Sequence, residues 1–216
     1  AHRSNCPVLA IASTCPSDQF GTGYFQETDP IRLFDDCSGY NQMAVTPAQF
    51  ARMLPAALQH AIHRREVAVV GLPGDVAASP CAESPGASGP LPSHGIYRPL
   101  DGELRQLAEM IGSAERITVF CGIGAREAHD EVVRLAAMLK APVAYTFKAK
   151  MEVQYDNPYE IGMTGLLGLP SAYGAMHESD LLLLLGTDFP YDCFLPSECR
   201  IAQVDIRPER IGRRAR

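Results

Sequence analysis

The chain has 216 residues, 46% hydrophobic and 20% charged, with a net charge of −6. That length holds one large cored domain or two smaller ones, and the acidic balance argues against a nucleic-acid surface. No apolar run approaches the roughly 18 residues of a membrane span, and no signal peptide is visible.

The seven cysteines, Cys6, Cys15, Cys37, Cys81, Cys121, Cys193 and Cys199, are odd in number and contain no CxxC. That pattern favours a reducing compartment, the cytoplasm, with free and mostly buried thiols. Cys193 with Cys199, and His60 with His63, lack the second half of a zinc site and are expected to be structural. No metal ligands are assigned.

In chain order, residues 6–13 (CPVLAIAS) are an apolar run of strand length, followed by the turn-rich TCPSDQFGTG. Tyr24, Phe25, Gln26 and Glu27 then sit on an irregular segment. Residues 30–37 are expected to form one short helix, with Pro30 at its first position and Asp29 as N-cap. A short strand at 42–46 leads into a longer helix to His63, capped by Thr46. Phe50, Leu54, Ala57, Leu58, Ala61 and Ile62 make its buried face, and Pro55 predicts a kink. A strand at 66–72 ends in Pro73-Gly74-Asp75-Val76. Strand, helix and strand make a right-handed βαβ unit, so residues 1–78 read as half of a parallel α/β domain.

Periodicity disappears over residues 79–99, rich in Pro, Gly and Ser, and a linker and domain boundary are expected there. A second α/β unit follows at 100–216. Asp101 caps a helix through Ile111; a strand at 116–121 runs into Gly122-Ile123-Gly124-Ala125; a helix spans 126–139 and a strand 142–146. After a loop at 147–157 with Lys148 and Lys150 comes the Gly-spaced GMTGLLG of 162–168, then a helix at 171–177. Five leucines, Leu181 to Leu185, form a strand buried on both faces, turned by Gly186 and Thr187. A last strand at 200–206 ends on Asp205. The arginines at 207, 210, 213, 214 and 216 read as a solvated end or a cut through a longer chain. The fold class is therefore α/β, with two doubly wound parallel-sheet units.

In open parallel sheets ligands bind beyond the carboxyl ends of strands, and an acid at such an end can accept ribose hydroxyls. Thr187, Asp188, Phe189 and Asp205 occupy two such ends, and Thr164-Gly165 lies at a third. Together they suit an extended dinucleotide; the alternative is a set of ordinary tight turns, with Asp205 capping the turn before Pro208. GIGA falls short of the Rossmann fingerprint, because Glu127 stands at the third glycine. Its glycines either admit a phosphate or allow close strand–helix packing. There is no Walker A motif and no nucleophile elbow before Ser171, His177 and Asp180.

GYFQET (23–28), VVGLPGDV (69–76), QYDNPY (154–159), GMTGLLG (162–168), LLGTDFPY (184–191) and QVDIRP (203–208) resemble the thiamine-diphosphate-dependent enzymes of the pyruvate oxidase and pyruvate dehydrogenase (quinone) group. The resemblance covers essentially all of the chain. It implies the back half of a pyrimidine-binding domain followed by most of a central flavin domain, and hence a fragment of a longer protein. It makes Phe25 and Gln26 an active-site pair facing thiamine and substrate across a subunit interface. It makes Thr164, Gly165, Leu166, Leu167, Thr187, Asp188, Phe189, Pro190 and Tyr191 contacts of FAD, and Asp205 a contact of its adenosine part. The thiamine-activating glutamate and the Gly-Asp-Gly and Asn residues that hold Mg²⁺ and diphosphate would lie outside this chain. Phe147-Lys148-Ala149-Lys150 departs from the family's Gly-containing loop.

The activity so implied is oxidative decarboxylation of pyruvate to acetate and CO₂, with electrons passed through FAD to ubiquinone. The intact protein would be a homo-oligomer, a tetramer, which is cytoplasmic or peripheral at the inner face of the membrane. The chain alone is expected to be inactive. Two alternatives remain: an acetolactate synthase-type carboligase with structural FAD, against which the LGTDFPYD run leans because synthases tend to carry an Arg-bearing version, and a non-catalytic nucleotide-binding module.

Overall fold

The computed structural model describes residues 1–81 and 95–214. The chain divides into two compact units, Ala1–Ile96 and Tyr97–Arg216. The linker expected at 79–99 falls largely on residues 82–94, and Arg216 on the last two; both lie outside the described residues.

The first unit contains β1 (Val8–Thr14), α1 (Pro30–Leu33), β2 (Tyr40–Met43), α2 (Pro47–Arg64), β3 (Val67–Pro73) and α3 (Gly74–Ala78). Its sheet has the order β1-β3-β2, all parallel. β3 is central and only Leu72 is not fully buried, as expected for a parallel strand covered on both sides. α2 starts where Thr46 Oγ1 accepts the Gln49 N–H at 3.1 Å. Ala57 and Ala61 let it approach Ala44, Ala68 and Val70 closely.

Local expectations are corrected at two places. The helix expected over 30–37 breaks at Phe34, whose carbonyl accepts the Ser38 hydroxyl at 2.6 Å, and a separate turn, Asp35–Cys37, follows. Side-chain hydroxyls that bond nearby carbonyls compete with helix propagation in this way. β2 lies two residues earlier than 42–46, because pairing of Tyr40 with Ala68 sets the register and frees Thr46 to cap. α2 is continuous through Pro55; the one missing N–H is tolerated in a helix held by its packed face.

The second unit contains α4 (Asp101–Gly112), β4 (Ile117–Cys121), α5 (His129–Leu139), β5 (Val143–Tyr145), α6 (Lys150–Val153), β6 (Glu160–Met163), α7 (Pro170–Glu178), β7 (Leu181–Leu185) and β8 (Arg200–Val204). All five strands are parallel, in the order β6-β5-β4-β7-β8. The chain thus builds outward from β4 to β6, then returns to the other side of β4, and the reversal falls between β4 and β7. The leucine run of β7 divides by parity: Leu181 and Leu183 join Val119, Val132 and Ala136 on one face, and Leu182 and Leu184 join Phe120, Ala172 and Met176 on the other. Each such burial stabilises by about 1.5–3 kcal/mol, which is why this strand anchors the unit.

Here too the details differ. Asp101 is the first helical residue of α4, and the cap is made by Glu103, whose Oε2 accepts the Leu100 N–H at 2.8 Å. α5 begins at His129 rather than 126, after a tight turn at Ile123–Ala128. Residues 147–157 are not a plain loop but contain α6. β6 was not legible as a strand: it pairs Val143 with Glu160 and Tyr145 with Met163, an irregular register that breaks the period-2 pattern. The last strand stops at Val204, so Asp205 is the first residue beyond it.

Of the seven cysteines only Cys15 and Cys121 are buried, so the expectation of mostly buried thiols is corrected. His60 is satisfied by Glu66, Nε2 to Oε2 3.0 Å. Among the described residues no helix is long and apolar enough to cross a membrane.

Candidate functional site

Five parallel strands bring their carboxyl ends to one edge of the second unit. The reversal between β4 and β7 marks where ligands bind in open α/β sheets. β7 leaves the sheet through Gly186, whose φ of +60° suits glycine. A Cβ added there would stand 2.6 Å from Gly124 Cα. Gly124 N–H donates to Gly186 O at 3.0 Å, and Gly122 N–H to Leu185 O at 2.9 Å. The glycines of GIGA are therefore taken up by contact between two turns, in line with close packing rather than an open phosphate cradle.

The remaining turns form a continuous floor. Phe189 is buried, edge-on to Phe120 with centroids 5.2 Å apart, and neighbours Tyr191 at 5.5 Å. The β6 exit rests on this ring: a Cβ on Gly165, at φ +114°, would lie 3.3 Å from Phe189 Cζ. On the other side Gln203 Nε2 donates to Thr187 O at 3.1 Å, and Gly186 N–H to Val204 O at 2.8 Å. Thr164, Thr187 and Asp205 thus share one edge. Thr164 is only 5% exposed, and its Oγ1 is buried with no hydrogen-bond partner. A buried hydroxyl left unpaired costs about 1–3 kcal/mol. Leu166, Leu167, Pro190 and Tyr191 are exposed around this floor.

Asp205 is half-buried; its Oδ1 accepts the Arg207 N–H at 2.9 Å, and among the described residues it makes no ion pair. Asp188 differs. Its side chain is 12% exposed and holds Arg210 Nη1 at 2.7 Å, Arg213 Nη1 at 3.4 Å and Arg214 Nε at 3.5 Å. The arginine-rich end is therefore folded back onto the sheet's exit edge and not a solvated tail. No sequence signal links Asp188 to residues more than twenty positions away.

Beside β5 and β6 lies a hollow of about 360 Å³ lined by Tyr145, Lys150, Gln154, Glu160 and Met163. Tyr145 donates to Glu160 Oε2 at 3.1 Å. Burial, then this bond and the charge of Glu160, push the phenol up to about 12. Lys150 bonds Gln154. Sequence reasoning missed Tyr145 and Glu160; the available signal was a tyrosine at the carboxyl end of a strand. Burial also pushes the Cys121 thiol up to about 12, which makes it inert.

In the first unit, Phe25 is 80% exposed and Gln26 has φ +62°, on the segment that follows β1.

The fold and this edge define a parallel α/β protein whose strand order reverses between β4 and β7. The sequence comparisons narrow the class. Residues 104–216 match the family model described as thiamine pyrophosphate enzyme, central domain. The chain belongs to that family. It is 47% identical over 216 residues to an uncharacterized 42.6 kDa protein of Pseudomonas amyloderamosa, covering all of this chain and 54% of that protein. It is 32% identical over 214 residues to a Bacillus subtilis protein named as thiamine pyrophosphate-containing, 99% of this chain and 37% of that one. Pyruvate oxidase of Lactiplantibacillus plantarum is 27% identical over 222 residues, 99% of this chain and 36% of the relative; acetolactate synthases match at a similar level. The chain thus spans from about a third to about half the length of these relatives.

Proposed function

We propose that this chain is part of a thiamine diphosphate- and FAD-dependent pyruvate oxidoreductase, with residues 1–78 the C-terminal half of a pyrimidine-binding domain and 100–216 a central FAD domain. The proposed reaction converts pyruvate and water to acetate and CO₂, with two electrons delivered to ubiquinone. The observation that carries it is the buried, unpartnered Thr164 hydroxyl on a floor built from three strand ends. Gly165 lies against the buried Phe189 ring there, an apolar contact that suits a ring system. The free acceptor capacity of half-buried Asp205 suits a ribose.

When bound, thiamine diphosphate would supply the electron sink for loss of CO₂ and FAD the acceptor for the electron pair. The chain's own residues do the positioning. Thr164 Oγ1 would hydrogen-bond the flavin nucleotide, while Phe189 walls it from water. Leu166, Leu167, Thr187, Pro190 and Tyr191 would border it. Asp188 belongs to the same wall through its main chain, since its carboxylate is engaged by arginines. Phe25 and Gln26 would present a ring and an amide to thiamine and pyruvate. Mg²⁺ and the diphosphate would be held by parts of a longer protein, acting as a homotetramer in the cytoplasm or at the inner face of the membrane.

The second reading is an acetolactate synthase-type carboligase in which FAD is structural, favoured by relatives of that name. Against it stands Asp188 in a run where synthases tend to carry arginine. Product analysis on pyruvate, with the longer protein that carries this chain, separates the two. Acetate with quinone reduction is expected; acetolactate without quinone reduction would replace the first reading by the second.

A further inference from the structure

We propose that Glu27 is a positioning residue whose carboxylate folds the segment at 21–27 into the one shape that presents Phe25 and Gln26. Its Oε1 accepts the Gly21 N–H at 2.5 Å, and its Oε2 accepts those of Gly23 at 2.8 Å and Tyr24 at 3.2 Å. The Glu27 N–H closes the ring by donating to Tyr24 O at 2.9 Å. Three main-chain donors that would otherwise face water thus converge on one side chain. Phe25 and Gln26 lie inside that closed turn, between the residue that donates and the residue that accepts.

The turn also fixes an unusual backbone. Gln26 has φ +62°, a left-handed conformation that a residue with a Cβ seldom adopts. Such conformations persist where surrounding contacts over-determine them, and they cluster at functional sites. Here the surrounding contacts are the bonds to Glu27. The ends of the segment are tied separately: Asp75 accepts the Ser17 N–H at 2.8 Å and the Ser17 hydroxyl at 2.6 Å, and Thr14 Oγ1 donates to Thr28 O at 2.9 Å. Removing Glu27 should therefore free the apex and leave the parallel sheet intact. The inference rests on Phe25 and Gln26 being the active-site pair proposed above.

The chain contains no tryptophan, so Phe25→Trp places a single fluorescent reporter at the apex. With Glu27 present, its anisotropy should decay chiefly with overall tumbling. Glu27→Ala in that background should add a fast nanosecond component while the chain keeps a cooperative urea transition. Glu27→Gln, which keeps an acceptor oxygen, should restore part of the order and covers the case in which the alanine variant fails to fold. In the longer protein that carries this chain, with Phe25 in place, Glu27→Ala should lower kcat by about 10- to 100-fold with KM moved less, as misplacement of a reacting group does. An unchanged anisotropy decay in both variants overturns the role of Glu27 and leaves the assignment of Phe25 and Gln26 standing. A freed apex with unchanged kcat overturns that assignment, and the positioning role with it.

Discussion

Gly186→Ala probes the contact between the two turns at the β4–β7 reversal. Two costs add at this position. The backbone sits at φ +60°, where an L side chain costs about 1–2 kcal/mol. The new Cβ would also stand 2.6 Å from Gly124 Cα and main-chain carbon, neither of which is the flexible end of a side chain, and such overpacking costs about 1–3 kcal/mol. The sum, about 2–5 kcal/mol, is a large part of the 5–15 kcal/mol that holds a typical domain together. Gly124→Ala shares the steric cost alone, from a Cβ 2.7 Å from Gly186 Cα, and should lose about 1–3 kcal/mol. Gly174→Ala in α7 meets nothing within 4 Å and should gain about 0.5–1 kcal/mol. Urea unfolding followed by circular dichroism ranks the three, and the order Gly174→Ala, wild type, Gly124→Ala, Gly186→Ala is expected. A Gly186→Ala chain as stable as wild type would refute the direct contact between the turns.

Phe189→Ala should cost about 3–5 kcal/mol as a buried aromatic truncation, and Phe189→Leu much less; equal losses in urea would mean the ring is not the floor of the crevice. Asp188→Ala leaves three partly exposed guanidinium groups without their shared carboxylate and should cost about 1–3 kcal/mol. Faster trypsin cleavage after Arg210 and Arg213 is expected in that variant, and unchanged cleavage would contradict the anchoring. Three carboxyls are held below their ordinary range: Glu27 chiefly by the Gly21 N–H, Asp75 by the Ser17 hydroxyl, and Asp180 by the N–H groups of Glu115 and Arg116. A depressed carboxyl contributes stability above its unfolded value, near pH 4, and that contribution is lost as pH falls through the folded value. Stability should therefore fall below about pH 4, with a shallower acid limb in Asp180→Asn; an identical limb would show that these bonds contribute nothing.

What the sequence reveals about this fold depends on how local the determinant is. Asp29 and Thr46 cap helices with their own side chains within three residues, so their roles are visible in a short window. The leucine run of β7 is continuous because both faces are covered, and that continuity is itself the signal. β6 hides behind an irregular register, and its glycines look like a turn. The closure of GIGA by Gly186, and the return of three arginines to Asp188, join residues far apart along the chain. Composition marks the glycines and arginines as unusual but does not pair them. The same holds within the candidate site: strand-end logic finds Thr164, Thr187 and Asp205, whereas the missing partner of Thr164 Oγ1 is a property of packing.

That hydroxyl offers the most direct test. FAD should be titrated into the chain and into Thr164→Val, with binding followed by quenching of flavin fluorescence. Saturable binding is expected, weakened about 5- to 10-fold in the valine variant, the worth of roughly one hydrogen bond. FAD that does not bind, or binds both chains equally, would contradict a flavin nucleotide at the carboxyl edge of this sheet.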